Sequence, residues 1–286
     1  MSNVVLARAA LLLSAIALPL SAGCTVESAA SEESKAESSA ALTNYAYYQW
    51  NQYQGHVTVM WPVSQGVCYL TGMGGAFSGT GENVHLEVDN GYWVLTGASQ
   101  QNSVSATASC VSWTDLGANG GYGYQTWGAS SYGGNACSWG GACGSNSTMQ
   151  TTKMWNGFNF CSLSWISGNF GNDTDITSWF DGNDWYLRTW EGVTQSSAYG
   201  QSVCFGLKIP HYLAQAGTQT WRVGQGPVYL GQADQMMCAI AEVSGTFRGS
   251  GEHVQIQNLN GAWYLTGSSM QSNTSARAAC LWLHQR

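Results

Sequence analysis

Along much of the chain after residue 45, hydrophobic and polar positions alternate with a period of two. Val84, Leu86 and Val88 alternate with His85, Glu87 and Asp89, so one face of this segment is buried and the other wet, the mark of a strand in a half-solvated sheet. Val254 and Ile256 alternate with His253, Gln255 and Gln257 in the same way. In that second segment Asn258 stands where the first has Val88 and Leu259 follows it, a slip that a bulge or an early strand end would produce. Asn90-Gly91 and Asn260-Gly261 close the two segments with residues that accept the positive φ values of a type I′ hairpin, and Asp181-Gly182-Asn183-Asp184 takes the same place in the middle of the chain. Return strands follow, Tyr-Trp-Val-Leu-Thr-Gly over 92–97 and Ala-Trp-Tyr-Leu-Thr-Gly over 262–267. After a polar loop, a last strand sets Ala106, Ala108 and Cys110, or Ala276, Ala278 and Cys280, on one face.

These segments belong to an internal repeat. The spacing from Cys68 to Cys110 is 42, from Cys161 to Cys204 it is 43, and from Cys238 to Cys280 it is 42, a regularity that marks three copies of one unit. After each first Cys an aliphatic residue stands at two (Leu70, Leu163, Ile240) and at five (Met73, Ile166, Val243). Gly stands at seven (Gly75, Gly168, Gly245), Phe at nine (Phe77, Phe170, Phe247) and an acid at fourteen (Glu82, Asp175, Glu252). A Trp follows (Trp93, Trp185, Trp263), one residue early in the middle copy, and Gln recurs nine before the second Cys (Gln101, Gln195, Gln271). The pattern predicts an all-β fold of three copies of a four- to six-stranded antiparallel meander over 45–113, 121–206 (with an insertion) and 218–286, stapled by disulfides. An upstream segment at Trp50, Trp127 or Trp221 adds one or two strands to each.

In a flat four-stranded meander the outer strands lie about 14 Å apart, whereas a disulfide needs Cα atoms within roughly 7 Å. Either each copy curls until its first and last strands meet, or the bonds run between copies, from Cys110 to Cys161, Cys204 to Cys238 and Cys280 to Cys68, closing a pseudo-threefold ring. The first is preferred, because a copy of about 60 residues is marginal alone and such a staple contributes on the order of 4 kcal/mol in the chain-entropy model. Cys137 and Cys143 lie in the insertion and read as a small disulfide loop.

The N-terminus reads differently. Arg8, an apolar run to Leu20 and Ser21-Ala22-Gly23-Cys24 form a signal peptide over 1–23. Ser-Ala-Gly-Cys resembles the lipobox of bacterial lipoproteins, with Leu20 one place earlier than usual, which implies acylation at Cys24. Setting Cys24 aside leaves eight cysteines, an even number that suits an exported, oxidised chain. Residues 24–44, rich in Ser, Ala and Glu, read as a disordered tether. The expectation is a lipid-anchored protein of the bacterial envelope, at the outer membrane or cell surface, or else a secreted one.

Composition narrows the partners. Charged residues are 9% of the 286 and the net charge is −7, so no basic stripe for nucleic acid exists. The five His are scattered and the Asp173-Thr-Asp175 segment fails the EF-hand pattern, so no metal or other cofactor is expected. No nucleophile elbow, P-loop or Rossmann glycine pattern occurs. What remains is aromatics and carboxylates. The three repeated acids are expected to accept bonds from Gly-rich turns, and the three repeated Trp to pack in the core. Seven of fourteen Trp fall between 121 and 206, together with Asp173, Asp175, Asp181, Asp184 and Glu191. Surplus aromatics beside polar groups suit sugar rings. The leading expectation is therefore a carbohydrate-binding or adhesive module whose partner is a polysaccharide or cell-surface glycan, with Trp165, Trp179, Trp190, Asp173, Asp175, Asp184 and the loop residues Gln101, Gln195 and Gln271 as ligand contacts. The alternatives are a structural envelope protein and a glycoside hydrolase using two middle-copy carboxylates, which would need to stand roughly 5 to 9.5 Å apart.

Gln125-Thr-Trp127 and Gln219-Thr-Trp221 resemble the Q-x-W tripeptide of ricin-type β-trefoil lectins; the first copy has Tyr48-Gln49-Trp50 there. The resemblance covers six residues. It implies threefold symmetry and sugar binding, and it assigns no site residue.

Overall fold

The computed structural model describes residues 45–101, 103–116, 124–130, 149–156, 159–171, 174–190, 198–206 and 219–283. Cys24, the Cys137 and Cys143 loop, Asp173 and Gln195 lie outside the described residues. Strands dominate. The first six are Tyr45–Asn51 (β1), Thr58–Pro62 (β2), Gly66–Gly74 (β3), Asn83–Asp89 (β4), Tyr92–Ala98 (β5) and Ser105–Ser112 (β6). The next six are Tyr124–Ser130 (β7), Met149–Asn156 (β8), Asn159–Gly168 (β9), Asp175–Phe180 (β10), Asp184–Trp190 (β11) and Ala198–Gly206 (β12). The last are Gln219–Arg222 (β13), Val228–Gln232 (β14), Met236–Ser244 (β15), His253–Leu259 (β16), Ala262–Ser268 (β17) and Ser275–Trp282 (β18). No α-helix occurs among the described residues.

The strands form three antiparallel sheets of six, ordered β1-β6-β3-β16-β17-β14, β2-β5-β4-β9-β12-β7 and β13-β18-β15-β10-β11-β8. We call them the first, second and third sheets. The predicted meander is therefore corrected. In the first six strands, β3 does not pair with β4; it pairs with β6, while the β4–β5 hairpin leaves for another sheet. The cause lies after β3. Gly75 has φ +100, and a Cβ there would stand 2.3 Å from the Ser103 carbonyl oxygen, so only glycine makes this exit turn. Gly168 and Gly245, with φ +112 and +94, occupy the corresponding places after β9 and β15.

Removing the hairpin from between them makes the first and last strands direct neighbours. Cys68 pairs with Cys110, Cys161 with Cys204 and Cys238 with Cys280, with Cα atoms 4.0, 4.1 and 4.1 Å apart, and all three pairs are disulfides. The bonds therefore join the cysteines 42 or 43 residues apart, the pairing preferred above over the ring-closing one. Curling is unnecessary, because exchange of hairpins between sheets brings the partners together.

Turn chemistry matches its sequence. Asn90 and Gly91 have φ +49 and +81, and Asn260 and Gly261 have +54 and +84, both central residues positive as a type I′ turn demands. At the middle hairpin the Asp181 carboxylate accepts from the N–H groups of Asn183 and Asp184. The slip at Asn258 is neither a bulge nor an early end. Pairing runs unbroken to Leu259 opposite Ala262, while both Asn258 and Leu259 are exposed at the hairpin tip.

Tryptophan and phenylalanine side chains fill much of the core. Trp93, Trp185 and Trp263 are at most 3% exposed. The indole N–H of Trp93 donates to the Gly66 carbonyl and that of Trp263 to the Met236 carbonyl. Trp50 and Trp221 lie against Gly97 and Gly267, where any Cβ would sit within 3 Å of the indole. Phe77, Phe170 and Phe247 meet edge to face with centroids 5.7 to 6.5 Å apart. Their backbones bond in a cycle, Phe77 N–H to Phe247, Phe247 N–H to Phe170 and Phe170 N–H to Phe77.

Candidate functional site

Each sheet is sewn together at one short seam. In the first sheet β3 meets β16, with Met73 opposite Val254 and flanking pairs Gly72 with Gln255 and Gly74 with His253. In the second, β9 meets β4, with Ile166 opposite Val84 flanked by Trp165 with His85 and Ser167 with Asn83. In the third, β15 meets β10, with Val243 opposite Ile176 flanked by Glu242 with Thr177 and Ser244 with Asp175. The central pairs are buried, so strand alternation turns the flanking pairs to the outer face.

A bulge sets this orientation. Register shifts fall between Leu70 and Gly72 in β3, between Gln201 and Ser202 opposite β9, and between Ile240 and Glu242 in β15. One extra residue flips the parity of every later position in the strand. That is why the aliphatic columns stand three apart, at two and five after each Cys, where an unbroken strand would space them by an even number.

The third sheet gathers three of the expected ligand residues. Asp175 is directly opposite Trp190, and Trp179 opposite Tyr186. Trp179 stacks on Tyr186 at 5.1 Å, and the Arg188 guanidinium carbon lies 5.6 Å from its ring centre. Trp190 is 37% exposed. Arg188 donates to the Asp175 carboxylate at 2.6 Å, and Arg277 pairs with Glu242 at 3.0 Å. Thr177 joins the second of these pairs, donating to Glu242 at 3.2 Å and accepting from Arg277. Burial pushes the Asp175 carboxyl up to about 6; Arg188 opposes the rise, and the Glu242 carboxylate adds to it. Asp175 Oδ1 and Arg188 Nε have no hydrogen-bond partner among the described residues.

The remaining expected residues are elsewhere. Asp184 opens β11, at the opposite end of the hairpin from Asp175. Six strand residues separate their levels, about 20 Å, so this pair of carboxyls cannot flank one glycosidic bond. Trp165 is on the second sheet, stacked on His85 at 3.8 Å and meeting Tyr199 edge-on at 5.5 Å. Burial lowers the His85 pKa to about 4. Gln101 lies in the loop between β5 and β6, and Gln271 between β17 and β18. There Ser99 and Ser269 close each loop by accepting the glutamine's backbone N–H.

The repeated acids also divide. The Glu252 carboxylate accepts the N–H groups of Arg248 and Gly249, the turn-holding role expected of it. Asp175 does not share that place. The carbonyls of Glu82, Glu252 and Thr174 accept the equivalent N–H groups of Gly168, Gly75 and Gly245, so Thr174 is the counterpart of the two glutamates and Asp175 stands one residue on. The early Trp185 is the sequence sign of this one-residue shortening.

Sequence reasoning did not single out Arg188, Tyr186, Glu242 or Arg277. Alternation in β11, with Trp185, Leu187 and Thr189 inward, sets Tyr186, Arg188 and Trp190 on the opposite face, and could have found two of them. Comparison with protein-family models, with curated proteins and with solved structures returns no match to this chain.

Proposed function

We propose that the protein is a carbohydrate-binding or adhesive module, exported and held at the bacterial envelope through an acylated Cys24 and the tether to residue 44. Its globular part is read as three copies of one unit closed about a pseudo-threefold axis. The cyclic bonding of Phe77, Phe170 and Phe247 and the passage of a hairpin from each copy into another sheet support that closure.

The observation that carries the binding reading is the outer face of the third sheet. Trp190 is 37% exposed there, on the same face as the Trp179–Tyr186 stack and about 14 Å along the strand from it, with Asp175 opposite Trp190 and Arg188 between. Flat aromatic surface flanked by a few fixed polar groups is the composition of a small-ligand site, and sugar rings present C–H faces and hydroxyls to match it. Asp175 and Glu242 are each engaged by an arginine, which favours holding a ligand over proton transfer to it.

A glycan array followed by Trp fluorescence titration tests the reading. Trp190→Ala is expected to weaken binding to the selected glycan at least tenfold. An array without a single binder, or a binder indifferent to Trp190→Ala, overturns it. Release of reducing ends from a bound polysaccharide would favour the hydrolase instead.

A further inference from the structure

We infer a second saccharide site, separate from the Trp190 face, in the groove over the β3–β16 seam of the first sheet, and we assign it an uncharged, hydroxyl-bearing oligosaccharide. The inference deepens the carbohydrate reading and takes its ligand class from it.

The groove has a volume of about 270 Å³, at the lower end for a ligand site. Gly74, Ser105, Thr107, His253 and Gln255 are among its lining residues. At the place of Gly72 the seams of the other two sheets carry side chains, Trp165 on His85 in one and Glu242 with Arg277 in the other. Here Gly72 brings the strands so near that a Cβ would stand 2.7 Å from both Gln255 Cβ and Thr107 Oγ1.

The walls carry hydrogen-bonding groups that the protein leaves unused. Gln49 is exposed, Gln255 half-buried, and neither carboxamide has a partner among the described residues. The His253 ring donates from Nδ1 to the Gly251 carbonyl at 3.2 Å, since a carbonyl can only accept. Glu252, 2% exposed, lines the groove, and its Oε1 has no partner among the described residues. Tyr47 stands on the same side of β1 as Gln49, 51% exposed, and its hydroxyl bonds Thr107. Carboxamides read hydroxyls in both senses, and no exposed cation lines the groove to hold an acidic sugar.

The test is a two-dimensional NMR titration of the labelled protein with cellohexaose, chitotetraose and an oligogalacturonate. Side-chain amide resonances of Gln49 and Gln255 report the groove, and the indole resonances of Trp179 and Trp190 report the other face. One of the neutral oligosaccharides is expected to shift the two amides, with the oligogalacturonate leaving them unmoved. The double variant Gln49→Ala, Gln255→Ala is expected to weaken that binding about tenfold at an unchanged melting temperature. Amides that stay still with every neutral oligomer, or that move only with the anionic one, overturn the inference. Indole shifts alone would sustain the Trp190 face without the groove, and amide shifts alone would do the reverse.

Discussion

Gly72 faces Gln255 across the β3–β16 seam, and Trp165 faces His85 across the β9–β4 seam. The two pairs hold the same register beside the same kind of buried aliphatic pair, Met73 with Val254 and Ile166 with Val84. One leaves a groove; the other closes it with two stacked rings. The inner pair therefore fixes where the strands join, and the outer pair is left to chemistry. The third seam, with Glu242, Thr177 and Arg277, is a further solution on the same backbone. A fold that separates the two tasks can change its surface without rebuilding its core.

The largest test of this comparison is to empty the filled seam. Trp165 contributes its stack on His85 and its edge contact with Tyr199, so Trp165→Ala is expected to destabilise the protein by about 3 kcal/mol in urea unfolding. A loss below about 1 kcal/mol would mean that the stack is surface decoration and not part of the joint.

Acid should divide the second and third seams. His85 has a folded pKa of about 4, below its ordinary 6.5, so the stability tied to its neutral ring is present above 6.5 and is lost as pH falls through 4. Asp175 has a folded value of about 6, above its ordinary 3.8, so its contribution is present below 3.8 and is lost as pH rises through 6. Each shift is worth on the order of 2 kcal/mol between pH 7 and 4.5, with opposite signs. His85→Phe is therefore expected to reduce the loss of stability on acidification and Asp175→Asn to increase it, read from urea midpoints at the two pH values. Equal pH profiles in the two variants would break the contrast.

Much of the strand pattern, the hairpin turns and the pairing of the disulfides could be read from residues, because each rests on local rules: alternation in β4 and β16, positive φ at Asn90-Gly91, the near-constant Cys spacing. Strand exchange could not. Nothing in the alternation of Val84 and Leu86 says which sheet they line, and the exit turn at Gly75 reads locally like any other turn. The bulge was written in the odd spacing of Leu70 and Met73, yet alternation alone does not draw attention to a break in itself. The Trp190 face was partly legible, since Asp175, Trp179 and Trp190 were picked out by composition. Its arginines were not, because pairing across strands is a property of register.

Filling the empty seam should cost less than emptying the full one. A methyl at Gly72 would press on Gln255 Cβ, Thr107 Oγ1 and the Val254 carbonyl, each 2.7 Å from the added atom. One of these is backbone and cannot turn aside. Gly72→Ala is expected to cost about 1 to 2 kcal/mol through overpacking, measured by urea unfolding. A neutral or stabilising result would show that the first seam has slack, and that its strands could have carried a side chain as β9 does.

The smallest expected effect lies at the edge of the His85 stack. His85 Nε2 is 3.7 Å from Glu87 Oε2, and the Glu87 side chain is 49% exposed. Geometry alone would make this an ion pair. Burial, however, keeps the His85 ring neutral at pH 7, so the glutamate faces no charge, and an exposed pair is weak even when both partners are ionised. Glu87→Gln should change stability at pH 7 by less than about 0.5 kcal/mol. A loss above about 1 kcal/mol would mean a protonated His85, and with it the failure of the acid-lability expected of the Trp165 seam.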